Sequence, residues 1–250
     1  MKVVILAGGF GTRLSEYTDT IPKPMVPVGG KPIIEHIINI YSSYGHKEFF
    51  IALGYKGEVI KNYFNNFNKE LKINLIDTGS DTMTGGRLKK LEKYLSSETF
   101  LLTYGDGISN ININKLIEFH NKHKKMVTIS AVRPPARFGS LSLEGSNVLN
   151  FKEKKQLGDS WINGGFFVIN PQFFSFLKGD TTVLEKEPLE TVTRLKEIQA
   201  FKHEQRILST YDEYKYSPKI EFGGQSECLS INPCEIDREL QLLIDTNLEY

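Results

Sequence analysis

The stretch Leu6-Ala7-Gly8-Gly9-Phe10-Gly11-Thr12-Arg13-Leu14, followed by Pro22-Lys23-Pro24, combines three glycines with two cations. Glycines directly after an apolar strand let the backbone turn sharply and approach a ligand closely. Successive N–H groups in such a turn form an anion-binding concavity, to which Arg13 adds a forked positive charge. Lys23 supplies a second, mobile cation in a segment stiffened by two prolines. The chemistry that suits this set is binding of a nucleoside triphosphate. A P-loop would need Gly-Lys-Ser/Thr where Gly11-Thr12-Arg13 stands, and a dinucleotide fingerprint would need a glycine in place of Leu14.

Further chemistry-bearing residues follow. Thr82-Met83-Thr84-Gly85-Gly86-Arg87 offers hydroxyls for a base or ribose. Its Gly-Gly-Arg at a helix start would turn N–H groups and a guanidinium toward the same cleft. Asp106, between Gly105 and Gly107 at the end of an apolar strand, is poorly suited to structural pairing. It is well suited to Mg²⁺, a hard cation that is commonly shared between a carboxylate and phosphates. Glu153-Lys154 pairs an acceptor for sugar hydroxyls with a cation for a phosphate. Asn163 can donate and accept toward a sugar, with Gly164 allowing close approach. His120 and His123 are spaced for metal ligation but lack a completing ligand, so they read as a solvated helix end. His36 reads as a core or boundary residue.

The elements that position these residues alternate. Lys2–Leu6 is a short buried strand, and Pro32 opens an amphipathic helix to near Gly45. A strand over 49–53, a helix over 57–66 and a strand over 73–77 complete a β-α-β unit. A helix through Leu95 leads to a strand over 99–104, and a helix over 112–123 leads to a strand over 126–132. The order then changes to a hairpin over 138–154, a glycine-opened strand over 161–169, and helices over 171–177 and from Leu189 to about Glu197. This predicts an α/β fold: a mixed, mainly parallel, Rossmann-like sheet flanked by helices, with a small β-hairpin insertion. Ligands of such sheets sit outside the carboxyl ends of the strands.

With 31 basic and 30 acidic residues the net charge is +1, which points away from nucleic acid and anionic membranes. No apolar run is long enough to span a bilayer, and the five-residue run at the start is no secretion signal. Cys228 and Cys234 provide no disulfide framework or metal spacing. A cytoplasmic protein is expected.

The nine-residue string with its downstream Lys-Pro resembles the signature of the sugar-1-phosphate nucleotidyltransferases. Thr84–Leu88, Tyr104-Gly105-Asp106-Gly107, Arg137-Phe138-Gly139, Glu153-Lys154, Ile162–Val168 and Glu187-Pro188-Leu189 resemble, in the same order, the glucose-1-phosphate cytidylyltransferases of that family. The resemblance covers about residues 1–204, with a sugar-binding part over about 137–204. It implies Mg²⁺-dependent joining of CTP and glucose 1-phosphate to give CDP-glucose and pyrophosphate, feeding surface-polysaccharide synthesis. It further implies that Leu6, Ala7, Gly8 and Gly9 read the nucleotide, that Gly11, Thr12 and Arg13 hold the triphosphate, and that Thr82, Gly86 and Arg87 complete that site. Lys23 would contact phosphates at the reacting centre, Asp106 would carry Mg²⁺, and Glu153, Asn163, Gly164 and Lys154 would hold the sugar phosphate. A homo-oligomer is suggested, with small-molecule substrates and no nucleic-acid or membrane partner.

Two departures stand out. Only Asn65–Leu71 bridges a helix and strand that the family joins by a longer segment. After Glu204 the family's Gly-Phe-Trp-Gln-x-Met-Asp-Thr run is missing, which suggests a frame shift or a replaced tail over 205–250 rather than an independent domain. Asp212 falls one residue from the expected second Mg²⁺ ligand. Another nucleotide or sugar 1-phosphate, or a nucleotide-binding relic without turnover, also fits these residues.

Overall fold

Val3–Leu6 (β1) is four apolar residues, all buried, and each has a parallel neighbour on both sides. It pairs with β4 (Glu48–Leu53) on one edge and β6 (Phe100–Tyr104) on the other, so it sits inside the sheet. The computed structural model describes residues 1–10, 20–65, 67, 70–133, 140–144, 146–152 and 161–203. Its main sheet has seven strands in the order β11-β7-β10-β6-β1-β4-β5. The remaining members are β5 (Lys72–Asp77), β7 (Val127–Val132), β10 (Ile162–Ile169) and β11 (Ile198–Lys202). Only β10 runs antiparallel to its neighbours β6 and β7, which makes the sheet mixed and mainly parallel, as the alternating pattern predicts.

Side-chain alternation along β1 feeds two cores. Val3 and Ile5 join Ile34, Ile37, Tyr41 and Leu116 on one face; Val4 and Leu6 join Leu88, Leu91, Phe100, Phe173 and Val192 on the other. The first face is covered by α1 (Ile33–Ser43), α2 (Gly57–Phe64) and α5 (Ile113–His123). The second is covered by α3 (Thr84–Lys90), α4 (Glu92–Leu95), a 3₁₀ turn over Pro171–Phe176, and α6 (Glu187–Arg194). Asn112 caps α5 by accepting from the Lys115 N–H at 2.9 Å. The insertion is a separate hairpin of β8 (Ser140–Glu144) and β9 (Asn147–Lys152).

Several expectations are corrected. Pro32 is the extended N-cap of α1 rather than its first turn, and it pairs with Pro27 across a short hairpin of β2 (Pro27–Val28) and β3 (Lys31–Pro32). His36 holds this hairpin through the Val28 carbonyl, with Nε2 at 2.8 Å. The last helix stops at Arg194, and residues 198–202 form the edge strand β11 instead. Its polar alternation, half-exposed at an edge, carries little strand signal.

The His120/His123 pair is not a solvated end. His120 is buried, and its nitrogens lie 2.8 Å from Thr128 Oγ1 and 3.1 Å from Asn170 Oδ1. His123 Nδ1 accepts from the Lys125 N–H at 2.9 Å, so its Nε2 carries the proton toward Thr128 Oγ1 at 2.7 Å. The Thr128 hydroxyl is then free to donate to His120 Nδ1, and burial lowers the pKa of both imidazoles.

Candidate active site

The carboxyl ends of β1, β4, β5 and β6 and the start of β10 lie at one end of the sheet. Gly8 and Gly9 follow β1 there, and the Gly8 carbonyl accepts from the Tyr55 N–H at 3.1 Å. Arg87 reaches the turn from behind, on α3. Its guanidinium is buried and donates to the Gly8 carbonyl (2.8 Å), the Leu53 carbonyl (3.0 Å), Thr78 Oγ1 (2.7 Å), and the Gly79 (2.7 Å) and Ser80 (3.0 Å) carbonyls. Burial lowers its pKa, opposed by the negative charges of Asp77 and Asp81. A Cβ on Gly8 or on Gly54 would come within 2.2 Å of Nη1. The missing Cβ at each of these two glycines therefore makes room for the protein's own guanidinium. Gly9 has nothing within 4 Å of its notional Cβ among the described residues.

The same correction applies along the site. The Gly86 N–H is used by the Thr182 carbonyl at 3.1 Å, and a Cβ there would lie 2.6 Å from the Asp180 carbonyl oxygen. The Gly-Gly-Arg segment thus packs α3 against the 179–182 loop instead of turning its groups into the cleft. Thr82 is buried, with Lys90 donating to its hydroxyl at 3.1 Å.

Asp106 stands at the end of β6. Gly105 brings β6 against β1 and the Lys23 loop: its N–H bonds the Leu6 carbonyl at 2.9 Å, and a Cβ would lie 3.0 Å from Pro24 Cγ. The outcome is an ion pair between Lys23 Nζ and Asp106 Oδ2 at 2.6 Å, half-open to solvent. Asp106, expected to avoid structural pairing, is paired by the very cation that the Lys-Pro motif supplies. Gly107 has open space beside it, with nothing within 4 Å among the described residues. The described residues contain no group of three His, Cys, Asp or Glu that would cage a metal. A single carboxylate beside open space fits Mg²⁺ completed by phosphates and water, and does not fit a closed metal cage.

Residues 2–216 match the nucleotidyl transferase family. The chain belongs to that family. It is 45% identical over 226 residues to the glucose-1-phosphate cytidylyltransferase of Salmonella typhi, covering 81% of this chain and 88% of that protein. It is 41% identical over 225 residues to the probable glucose-1-phosphate cytidylyltransferase of Bacillus subtilis (strain 168), with the same coverage of 81% and 88%. The crystal structure of HddC from Yersinia pseudotuberculosis matches the fold with a TM-score of 0.63 at 29% identity, covering 80% of this chain and 89% of that chain.

Beside the Gly8-Gly9 turn, Lys23 and Asp106, β10 carries Asn163 and Gly164 on a bulge. The register slips between Asn163 and Phe167, and Gly165 has φ 83°. Ser130 Oγ accepts from the Phe166 N–H at 3.1 Å and would lie 2.7 Å from a Cβ on Gly164. Thr103 Oγ1 donates to the Gly165 carbonyl at 2.9 Å. The bulge re-aims exposed Asn163 at the site end of the sheet. Gly11, Thr12, Arg13, Glu153, Lys154 and Asp212 lie outside the described residues, as does the tail after 203. Sequence reasoning missed Glu185, whose carboxylate accepts from Tyr104 Oη at 2.6 Å and Thr84 Oγ1 at 2.7 Å. Its Glu-Lys-Glu surroundings look like an ordinary solvated run, so no local signal marks it. Among the described residues no helix is long and apolar enough to cross a membrane.

Proposed function

We propose that this protein joins CTP to α-D-glucose 1-phosphate and releases pyrophosphate, with CDP-glucose as the product. The observation that carries the reading is the meeting of the Gly8-Gly9 turn, Lys23 and Asp106 at one end of the sheet. This arrangement suits a triphosphate whose α-phosphorus must be approached by a second anion. The choice of cytidine and glucose is supported by likeness to the two proteins named glucose-1-phosphate cytidylyltransferase.

A phosphate oxygen of the sugar phosphate attacks the α-phosphorus of CTP, and the bond from that phosphorus to the bridging oxygen of the β-phosphate breaks. The nucleophile is already an anion, so no residue need remove a proton. Catalysis then consists of alignment and charge neutralisation. Gly9 leaves the turn open to the nucleotide, while Arg87 holds the turn's shape from behind. Gly11, Thr12 and Arg13 bind the triphosphate, and Thr82 sits at the edge of this site. Lys23 moves from Asp106 to the phosphates and offsets their repulsion. Mg²⁺, when bound, supplies charge neutralisation between phosphates, and Asp106 would hold it, with Asp212 as the second carboxylate. Glu153, Asn163 and Gly164 hold the sugar, and Lys154 its phosphate. Residues 1–204 form the working domain of a cytoplasmic homo-oligomer.

The test is pyrophosphate release with Mg²⁺ and glucose 1-phosphate, run in parallel with CTP, UTP, dTTP and ATP. Release with CTP alone supports the reading. Release with another nucleotide instead overturns the choice of base. Silence with all four, from folded protein that still binds CTP, overturns the reaction.

A further inference from the structure

Glu185 ends one chain of hydrogen bonds in which every proton has a determined direction. Thr84 Oγ1 accepts from the Leu184 N–H at 2.9 Å, so its own proton goes to Glu185 Oε2 at 2.7 Å. Tyr104 Oη donates its single proton to Glu185 Oε1 at 2.6 Å. The Tyr104 oxygen can then only accept, and it does so from Asn163 Nδ2 at 3.3 Å. Asn163 Oδ1 in turn accepts from the Gly165 N–H at 2.8 Å. The amide of Asn163 is thereby held one way round, with one N–H and one lone pair left over.

We infer that Glu185 is a positioning residue for the sugar phosphate: through Tyr104 it orients Asn163, and through Thr84 it ties that orientation to the start of α3. The inference rests on the proposed sugar-binding role of Asn163. A carboxylate is required because two hydroxyls donate to it at once. A glutamine in its place has one accepting oxygen, so one hydroxyl must turn its proton elsewhere and the order of the chain is lost. Tyr104 lies two residues before Asp106, so the same strand end carries both the metal-binding carboxylate and the sugar-orienting phenol.

The test compares Glu185→Gln, Tyr104→Phe and the double variant with the wild-type protein. The expected result is a rise of roughly tenfold in KM for glucose 1-phosphate in each single variant, with KM for CTP within about twofold. The double variant should be no worse than either single one, because both cut the same chain. An unchanged sugar-phosphate KM, or both KM values rising together, overturns the inference. A second readout needs no turnover: the side-chain amide resonances of Asn163 in the substrate-free protein should shift in both single variants, and unmoved resonances overturn the relay. A wild-type protein that releases no pyrophosphate would instead refute the reaction, and the Asn163 resonances would still decide the relay.

Discussion

Replacing Arg87 with methionine keeps an unbranched apolar stem of similar reach and removes the guanidinium that underlies the Gly8-Gly9 turn. Five acceptors lose a charged donor. Two of them are not orphaned: the Gly8 carbonyl keeps the Tyr55 N–H, and the Leu53 carbonyl keeps the Thr78 N–H and hydroxyl. The Gly79 and Ser80 carbonyls are only part-buried in their bonds to Arg87 and can turn to water. Hydrogen bonds to a charged group contribute about 1.5–3 kcal/mol each, but the variant also escapes the cost of burying a cation. The net expectation is a loss of about 2–4 kcal/mol, or roughly 5–15 °C in Tm for a chain of this size. Thermal and urea unfolding measure this, and a titration with CTP measures the second consequence, weaker nucleotide binding from an unsupported turn. A Tm shift below about 2 °C would refute the reasoning. So would lost CTP affinity at full stability, since that pattern belongs to an arginine contacting the nucleotide directly.

Two glycine substitutions separate packing from ligand access. Gly86→Ala puts a methyl 2.6 Å from the Asp180 carbonyl oxygen, which is backbone and cannot swing aside, so unfolding should cost about 1–3 kcal/mol less. Gly9→Ala meets no described atom and should stay within about 0.5 kcal/mol of wild type while weakening CTP binding; chemical denaturation beside CTP titration checks both. Asp106→Asn should abolish pyrophosphate release while changing stability by less than about 1 kcal/mol, because its pair with Lys23 is half-exposed; undiminished Mg²⁺-dependent turnover would contradict the assignment. His46, His120, His123 and His203 all have lowered pKa values, chiefly from burial. The unfolded chain therefore takes up protons first. Stability should be flat above about pH 6.5 and fall below it, toward each folded value. Urea midpoints between pH 8 and 5.5 test this, and a flat profile across that range would contradict it.

Element order was legible because it depends on local chemistry. The apolar run Val3–Leu6, the helical spacing of Ile34, Ile37, Ile38 and Tyr41, and the glycine-bounded ends of strands determine an alternating α/β chain whatever packs against it. The string from Leu6 to Leu14 with Lys23 and Asp106 is likewise readable as the set proposed to handle phosphates, since anion binding needs those residue types within one span. The edge strand Ile198–Lys202 was not legible, because its half-exposed, partly polar residues lack the apolar run of Val3–Leu6 and only pairing with β7 holds them extended. The purpose of each glycine was not legible either. Gly8, Gly86, Gly105 and Gly164 look alike in sequence to Gly9 and Gly107, yet the first four are tight against Arg87, Asp180, Leu6 with Pro24, and Ser130. Only Gly9 and Gly107 open outward among the described residues of this group. A missing Cβ creates room, and only the folded chain decides whether a ligand or the protein itself fills it. The same holds for charge: Arg87 and Lys23 are both cations near the turn, but tertiary packing buries one under five acceptors and leaves the other half-open on Asp106, where phosphates can take it over.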